Sequence, residues 1–95
     1  MLNDLFEWDP NKNLANIKKH GVSFEEAREA FKDTDGFIED DPKHSTEEMR
    51  YAYVGKTQNG ILTVRYTLRK NKIRIFGAGF WREGRKDYET KNSLH

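Results

Sequence analysis

The chain has 95 residues, which is enough for one domain with one modest hydrophobic core. It contains no cysteine, which excludes disulfides and thiolate metal sites, and it has no apolar run long enough to span a membrane. The N-terminus lacks the basic region of a signal peptide and the histidines lack metal-ligand spacing, so we expect a cytoplasmic protein without a metal or other cofactor.

The near-neutral net charge of +1 conceals two oppositely charged halves. Residues 1–48 contain 13 Asp and Glu against 6 Lys and Arg, whereas residues 49–95 contain 3 against 11. Clustered Arg and Lys on one part of a small domain are typical of a surface that binds phosphate. The sequence therefore points first to a nucleic acid as the ligand.

A short strand and a first helix are predicted near the N-terminus. Residues 5–8 alternate apolar and polar side chains, and the Asp9-Pro10 pair that follows is typical of a helix start. Leu14 and Ile17 are the apolar residues of this helix. Gly21 ends it, directly after a cluster of Lys and His that suits the negative end of the helix dipole.

A second helix is predicted immediately after the first. Ser23 and Glu26 form a capping box at its start. Its inward-facing residues would be Ala27, Ala30 and Phe31. A polar run ends this helix before a brief strand over residues 37–41, and residues 43–48 are predicted to form a polar loop.

The basic half of the chain predicts a three-stranded meander over residues 50–57, 61–69 and 72–76. Asn59-Gly60 is a strong signal for a two-residue hairpin turn. This turn would pair Gln58 with Ile61, Val54 with Arg65 and Arg50 with Arg69. A second turn at Lys70-Asn71 would pair Arg69 with Lys72 and Thr67 with Arg74.

Because side chains alternate between the two faces of a strand, this register sorts the meander into an apolar and a basic face. The apolar face consists of Tyr51, Tyr53, Leu62, Val64, Tyr66, Leu68, Ile73 and Ile75. The basic face, which we call the arginine face, consists of Arg50, Lys56, Arg65, Arg69, Lys72 and Arg74, with Ala52, Val54 and Ile61 among them. We expect the helices to cover the apolar face.

The arginine face has two interpretations. Lys and Arg are ordinary residues on a solvated sheet face, and this simple explanation stays open. However, the three strands contribute no carboxylate to the face, whereas a merely solvated face would mix both signs of charge. This absence favours a surface that binds an anion.

Four blocks of residues together carry a resemblance to a known family. The first is Trp8-Asp9-Pro10-Asn11-Lys12, followed by Asn16, Lys19-His20-Gly21-Val22 and Phe24-Glu25-Glu26-Ala27. The second is His44-Ser45 with Glu48 and Arg50, the third is Val54-Gly55 and Val64-Arg65-Tyr66-Thr67 with Arg69, and the fourth runs from Arg74-Ile75 to Tyr88-Glu89. In this order, over nearly the whole chain, they closely resemble the BrnT toxin family. One difference is Gly77-Ala78-Gly79, which stands where many relatives have a Ser-Ala-Arg stretch.

The resemblance implies a ribonuclease toxin of a type II toxin-antitoxin system, formed by a single BrnT-like domain over residues 1–95. It implies a RelE-like α+β fold, in which two N-terminal helices and a C-terminal helix pack on one face of an antiparallel β-sheet. The implied partners are an RNA substrate and a BrnA-like antitoxin with a ribbon-helix-helix domain. The chain would contact operator DNA only through that antitoxin.

Metal-independent cleavage of RNA by this class requires deprotonation of a 2′-hydroxyl, charge stabilisation at phosphorus and a proton for the leaving 5′-oxygen. Arginine suits the second task, because its planar and permanently charged guanidinium binds phosphate through two hydrogen bonds. The candidate catalytic residues are Arg65, Arg69, Arg74, His44 and His20. The candidate RNA-binding residues are Arg50, Lys56, Lys72, Arg82 and Trp81.

Structural explanations compete with several functional ones. His20 lies at the predicted end of a helix, where its interaction with the helix dipole is favoured over catalysis. Trp81 and its neighbour Phe80 would stack on RNA bases, anchor a C-terminal helix or contact the antitoxin. Tyr66 falls on the apolar face, where packing is favoured, and Glu83 is best explained by a charge pair on the last helix.

A second functional class also stays open: a catalytically weak module that binds the antitoxin and acts mainly in operon autoregulation.

Overall fold

The computed structural model describes residues 5–42 and 48–93. Its elements are β1 (Phe6–Trp8), α1 (Pro10–His20), α2 (Phe24–Ala27), a 3-10 helix (Arg28–Lys32), β2 (Phe37–Asp40), β3 (Arg50–Thr57), β4 (Gly60–Arg69), β5 (Lys72–Gly79) and α3 (Arg82–Asn92). The five strands form one sheet in the order β1-β5-β4-β3-β2. The predicted α+β class is therefore confirmed. None of the described helices is long and apolar enough to cross a membrane.

The sheet is mixed, whereas the resemblance implied an antiparallel one. β1 runs parallel to β5 and pairs Phe6 with Ile73, Glu7 with Arg74 and Trp8 with Ile75, and the other three pairings are antiparallel. A parallel pair needs a long crossover connection, and here most of the chain lies between the two strands. The pairing places Glu7, from the acidic half of the chain, beside the basic strand β5.

The first helix, α1, begins and ends where the sequence predicts. The Asp9 side chain accepts a hydrogen bond from the Asn11 backbone N–H at 2.8 Å, and Gly21 ends the helix in the left-handed conformation with φ of 71°. The apolar residues Leu14 and Ile17 do not face the core, because their side chains are 65% and 41% exposed.

The buried residue of α1 is instead polar. The Asn16 side-chain amide donates to the backbone carbonyls of Val22 and Ala78, both at 2.9 Å, and accepts from the Ala78 N–H at 3.2 Å. These bonds satisfy backbone groups of Ala78, near the end of β5, and of Val22, in the connection from α1 to α2, which would otherwise be buried without partners. α1 is thus attached to the sheet through specific polar contacts.

The second N-terminal helix is shorter and tighter than predicted, because α2 is a single turn that continues as the 3-10 helix. The Ser23 hydroxyl caps it as expected by accepting from the Glu26 N–H at 3.0 Å. The tighter winding follows from the three-residue spacing of Phe24, Ala27 and Ala30, all of which are fully buried. Side chains three residues apart lie above one another in a 3-10 helix, so this winding continues the buried row.

The first hairpin of the meander is shifted by two residues from its predicted register. Gln58-Asn59 forms the turn in place of Asn59-Gly60, and the Thr57 hydroxyl stabilises it by donating to the Gly60 carbonyl at 2.9 Å and accepting from the Asn59 N–H at 3.2 Å. The predicted pairs are therefore wrong: Arg50 pairs with Thr67, Val54 with Thr63 and Lys56 with Ile61. A slip of two residues nevertheless keeps every side chain on its predicted face.

The second hairpin has the predicted register. Arg69 pairs with Lys72, and Thr67 pairs with Arg74. Lys70 and Asn71 form the turn with φ values of 50° and 67°, and a type I′ turn requires positive φ at both of its central residues. Because this turn is not longer by a residue, Lys72 and Arg74 lie on the arginine face.

Helices cover both faces of the sheet, whereas the resemblance implied helices on one face. α2 and the 3-10 helix pack on the predicted apolar face. The buried core there includes Val22, Phe24, Ala27, Ala30, Leu62, Val64, Tyr66, Ile75 and Ala78. α3 packs on the opposite face, where a Cβ at Gly84 would collide with the Thr63 hydroxyl, and it buries Val54. Within residues 5–42 and 48–93, no helix covers the end of the arginine face near the β4–β5 turn.

Candidate active site

Three arginines from three adjacent strands line one cleft at the open end of the arginine face. Arg50 lies on β3, Arg69 on β4 and Arg74 on β5, and Lys12 of α1 lines the same cleft. The strand register causes this convergence, because Arg50 and Arg74 both pair with Thr67, two residues from Arg69 on β4. We call this site the arginine cleft; its other lining residues are Asp9, Glu48, Thr67, Ile75 and Phe76.

Carboxylates from the acidic half of the chain pair with arginines of this face. Arg69 Nη2 lies 2.9 Å from Glu48 Oε1 and Arg69 Nε lies 3.3 Å from Glu48 Oε2, while Arg74 Nη1 lies 3.2 Å from Glu7 Oε2. The strands β3, β4 and β5 contribute no carboxylate to the arginine face, as the sequence indicated. The prediction is wrong for the face as a whole, because Glu7 on β1 and Glu48 just before β3 bring carboxylates to it. The arginine face therefore does carry negative charge. Whether it can bind an anion depends on the geometry of its guanidinium groups.

The ion pairs also set the ionisation of the arginine cleft. The hydrogen bond from Arg69 lowers the pKa of the Glu48 carboxyl below its ordinary value, and Glu48 in turn raises the pKa of Arg69. Both side chains are therefore charged at neutral pH. Arg50 is held by a different contact, because its guanidinium lies 4.5 Å from the centre of the Phe76 ring.

A second cleft, of about 500 Å³, lies further along the same face and contains Arg65, Trp81 and His20. The Arg65 guanidinium lies 4.5 Å from the centre of the Trp81 ring, and the His20 ring meets the same indole edge-on with 5.2 Å between ring centres. Arg65 Nε is also 3.6 Å from Asp41 Oδ2. We call this site the tryptophan cleft. The structure thus brings His20 and Arg65 to one site, with Trp81 between them.

One glycine of the unusual Gly77-Ala78-Gly79 stretch makes this arrangement possible. Gly79 lies against the Trp81 indole, and a Cβ at this position would lie 2.5 Å from a ring carbon. A larger residue there would displace Trp81 from Arg65. This chain therefore builds this part of its arginine face from Arg65 and Trp81.

The tryptophan cleft is more acidic than the arginine cleft, in which the two carboxylates of Asp9 and Glu48 stand against four cationic side chains. Glu39, Asp41 and Glu83 line it, and burial together with the carboxylates of Asp87 and Glu83 raises the pKa of Glu39. Charge, rather than size, therefore favours the arginine cleft for an anionic phosphate, because this cleft is small, at about 30 Å³. Among residues 5–42 and 48–93, no group of three or more His, Cys, Asp or Glu side chains is arranged to hold a metal ion.

The other predicted site residues are dispersed. Lys72 pairs with Arg69 next to the arginine cleft, and Arg82 is the exposed first residue of α3. Lys56 is exposed at the opposite end of β3 from Arg50, where its backbone N–H donates to Asp33 at 2.7 Å. Tyr66 is buried in the core, as predicted. His44 lies outside the residues that the structure describes.

Most of the chain matches a known protein family. The matching family is described as the ribonuclease toxin, BrnT, of a type II toxin-antitoxin system, and the match covers residues 8–83. The chain belongs to the BrnT toxin family. Comparison with curated protein sequences found no match. Membership of the BrnT family implies ribonuclease activity, RNA targets and an antitoxin partner. The matched region includes every lining residue of the arginine cleft and all but Gly84 of those of the tryptophan cleft.

Sequence reasoning did not select two of the residues that line the arginine cleft, Lys12 and Glu48. Both stand in the blocks that resemble the family, yet they are 36 residues apart and no short-range pattern connects them. The placement of Lys12 depends on the parallel pairing of β1 with β5, which carries the start of α1 to the edge of the arginine cleft, whereas Glu48 reaches the cleft from the residues just before β3. A parallel pair between the first and last strands has no signal in local periodicity.

Proposed function

We propose that this BrnT-family toxin is a metal-independent endoribonuclease that cleaves RNA in the arginine cleft. In this reaction the 2′-hydroxyl attacks the adjacent phosphorus, and the products carry a 2′,3′-cyclic phosphate and a 5′-hydroxyl. The observation that carries the proposal is the convergence of Arg50, Arg69 and Arg74 from adjacent strands. The resulting inhibition of translation would arrest growth.

The arginines stabilise the charge that develops on the phosphorane. Three guanidinium groups in fixed positions offer paired N–H donors to the non-bridging oxygens of one phosphate. Preorganised donors of this kind stabilise a transition state by about 3–4 kcal/mol for each hydrogen-bonding group that is removed by mutation. Arg50 on Phe76 and Arg69 on Glu48 are already oriented in the free protein, so little reorganisation is needed.

The tryptophan cleft extends the RNA-binding surface in this proposal. Its Arg65 lies on β4 with Arg69, and alternate residues on one strand face are about 6.6 Å apart, so the two arginines are about 13 Å apart along the strand. That separation suits binding of neighbouring nucleotides. Arg65, Lys72 and Arg82 contact the RNA backbone. His20 lies beside Trp81 in the tryptophan cleft and not in the arginine cleft, so His44 is our remaining candidate for proton transfer to the leaving 5′-oxygen.

We further propose the partners and setting of the toxin. A BrnA-like ribbon-helix-helix antitoxin neutralises it in the cytoplasm, and operator DNA is contacted only through that antitoxin. The carboxylates paired with Arg69 and Arg74 support this part, because they illustrate how an acidic antitoxin segment would occupy the arginines. The same observation favours the second candidate function, a catalytically weak module whose arginine cleft serves mainly to bind antitoxin.

Charge reversal at Arg69 separates the two functions in cells. We expect induction of the wild-type chain without antitoxin to arrest growth and Arg69→Glu to abolish the arrest, because the variant places a carboxylate where the phosphate binds. Arg85→Glu is the matched control, since Arg85 is an exposed residue of α3 and should leave the arrest intact. Arrest that persists in a folded Arg69→Glu variant would rule out the arginine mechanism.

A further inference from the structure

Glu48 is placed where a proton acceptor for RNA cleavage is needed. Its side chain is 34% exposed, and both carboxylate oxygens accept hydrogen bonds from Arg69, at 2.9 Å and 3.3 Å. The next residue along the chain is anchored, because the Met49 carbonyl accepts a hydrogen bond from the Thr67 hydroxyl at 2.8 Å. The carboxylate is therefore fixed in position and orientation within the arginine cleft.

The other carboxylates near this cleft are committed to structural roles. Asp9 lines the cleft, but its side chain caps α1 by accepting from the Asn11 N–H. Glu7 pairs with Arg74 from β1 but is not among the residues that line the cleft. Glu48 is thus the lining carboxylate that both contacts a cleft arginine and lies beside the positions where a phosphate would bind.

We propose that Glu48 is the general base of the cleavage reaction, an inference that rests on the proposed function. The Glu48 carboxylate takes the proton of the RNA 2′-hydroxyl while the 2′-oxygen forms a bond to phosphorus. The bond from phosphorus to the 5′-oxygen then breaks, and the 5′-oxygen takes a proton from the general acid, which regains one from solvent. Glu48 returns its proton to solvent, so the chain is unchanged after each cycle.

Arg69 serves both the base and the phosphate in this arrangement. A guanidinium carries five N–H donors, and the Glu48 pair uses those on Nε and Nη2. Donors on the same rigid group can bind a phosphate oxygen, which places the base and the reacting phosphate on one planar unit. The lowered pKa of Glu48 keeps the carboxylate ionised at neutral pH, although it also makes Glu48 a weaker base.

A purely neutralising role for Glu48 makes the opposite prediction for catalysis. If Glu48 only balances the charge of Arg69, then its removal should strengthen RNA binding without slowing cleavage. If it is the base, its removal should slow cleavage even though binding is unchanged or tighter. Binding and cleavage must therefore be measured separately on the same variant.

The test compares wild type, Glu48→Gln and Glu48→Asp in EDTA. Cleavage is measured on an RNA that the wild type cuts, and affinity on the 2′-O-methyl version of the same RNA, which cannot be cleaved. We expect Glu48→Gln to slow cleavage by about 10²- to 10⁴-fold, the usual contribution of a general base, without weakening binding. Glu48→Asp keeps a carboxylate and should retain more activity, and the acid limb of the wild-type pH profile should vanish in Glu48→Gln.

Glu25→Gln is the matched control, because Glu25 forms an exposed ion pair with Arg28 at 2.8 Å and lies outside both clefts. Its cleavage rate should equal that of wild type. Cleavage by folded Glu48→Gln within a few-fold of wild type would overturn the assignment of the base and leave the proposed function standing. Failure of folded wild-type protein to cleave any RNA would overturn the proposed function itself, and the base assignment with it.

Discussion

At the scale of single residues, Asp33 links three elements of the fold. Its carboxylate accepts hydrogen bonds from the Tyr88 hydroxyl at 2.6 Å, the Lys56 N–H at 2.7 Å and the Asp35 N–H at 2.9 Å. Burial raises the pKa of Asp33, but these hydrogen bonds outweigh it and lower the pKa below the ordinary value. Burial, together with the hydrogen bond to Asp33, raises the pKa of Tyr88 to about 12. Asp33 therefore holds α3 and β3 to the end of the 3-10 helix.

We predict that Asp33→Asn destabilises the protein by about 1–3 kcal/mol at pH 7, because an amide N–H₂ would replace an acceptor facing two donors. Since the pKa of Asp33 is lower in the folded state, its contribution is complete above the unfolded pKa of about 3.9 and is lost as pH falls through the folded value. The difference between variant and wild type should thus shrink below pH 4. Thermal unfolding of both proteins from pH 3 to 7 measures this difference in stability.

Asp35→Asn provides the comparison for this prediction, because Asp35 is exposed and contributes only its backbone N–H to the cluster. It should unfold close to the wild-type temperature at every pH. Equal stability of Asp33→Asn and wild type at pH 7 would show that the three hydrogen bonds do not support the fold.

At the scale of elements, α1 is held by a polar residue while its apolar residues face solvent. The caps of this helix were predictable, because the Asp-Pro start and the glycine end act locally. The buried side of the helix was not, since it depends on backbone groups of Val22 and Ala78 that only the folded sheet brings near Asn16. The register of the first hairpin shows the same limit: the side chain of Thr57 shifted the turn although Asn59-Gly60 is the stronger local signal.

We predict that Asn16→Ala costs about 2–4 kcal/mol of unfolding free energy, because it leaves buried N–H and C=O groups of Ala78 and the Val22 carbonyl without partners. Leu14→Ala should change stability by less than about 0.5 kcal/mol, since Leu14 is largely exposed. Urea unfolding followed by circular dichroism compares the two variants. A larger loss for Leu14→Ala than for Asn16→Ala would contradict this account of how α1 is attached.

At the scale of the whole molecule, the acidic and basic halves of the chain fold across each other. β1 and Glu48 bring carboxylates to Arg74 and Arg69, and Asp41 brings one to Arg65. The sorting of arginines onto one face was predictable, because side-chain alternation survives a two-residue slip. The carboxylates that pair with these arginines were not predictable, because they come from β1 and from the segment before β3, which only the folded chain brings to the arginine face. Likewise, local patterns cannot tell which sheet face α3 covers.

This charge balance bears on how the toxin recognises RNA. Each arginine of the arginine cleft is oriented in the free protein, and under the proposed function an RNA phosphate would exchange with or join a carboxylate that already contacts the arginine. The cleft is thus preorganised without being a large uncompensated positive patch. Affinity for RNA then depends on contacts at a few guanidinium groups, which makes single charge reversals informative.

The most direct measurement is incubation of the purified, antitoxin-free protein with RNA in EDTA, followed by analysis of the product ends. Wild type and Arg85→Glu should both cleave and leave 2′,3′-cyclic phosphate or 3′-phosphate ends together with 5′-hydroxyl ends, whereas Arg69→Glu should not cleave. Circular dichroism confirms that each protein is folded. Absence of cleavage by folded wild type, or equal cleavage by Arg69→Glu, would contradict a metal-independent ribonuclease built on the arginine cleft.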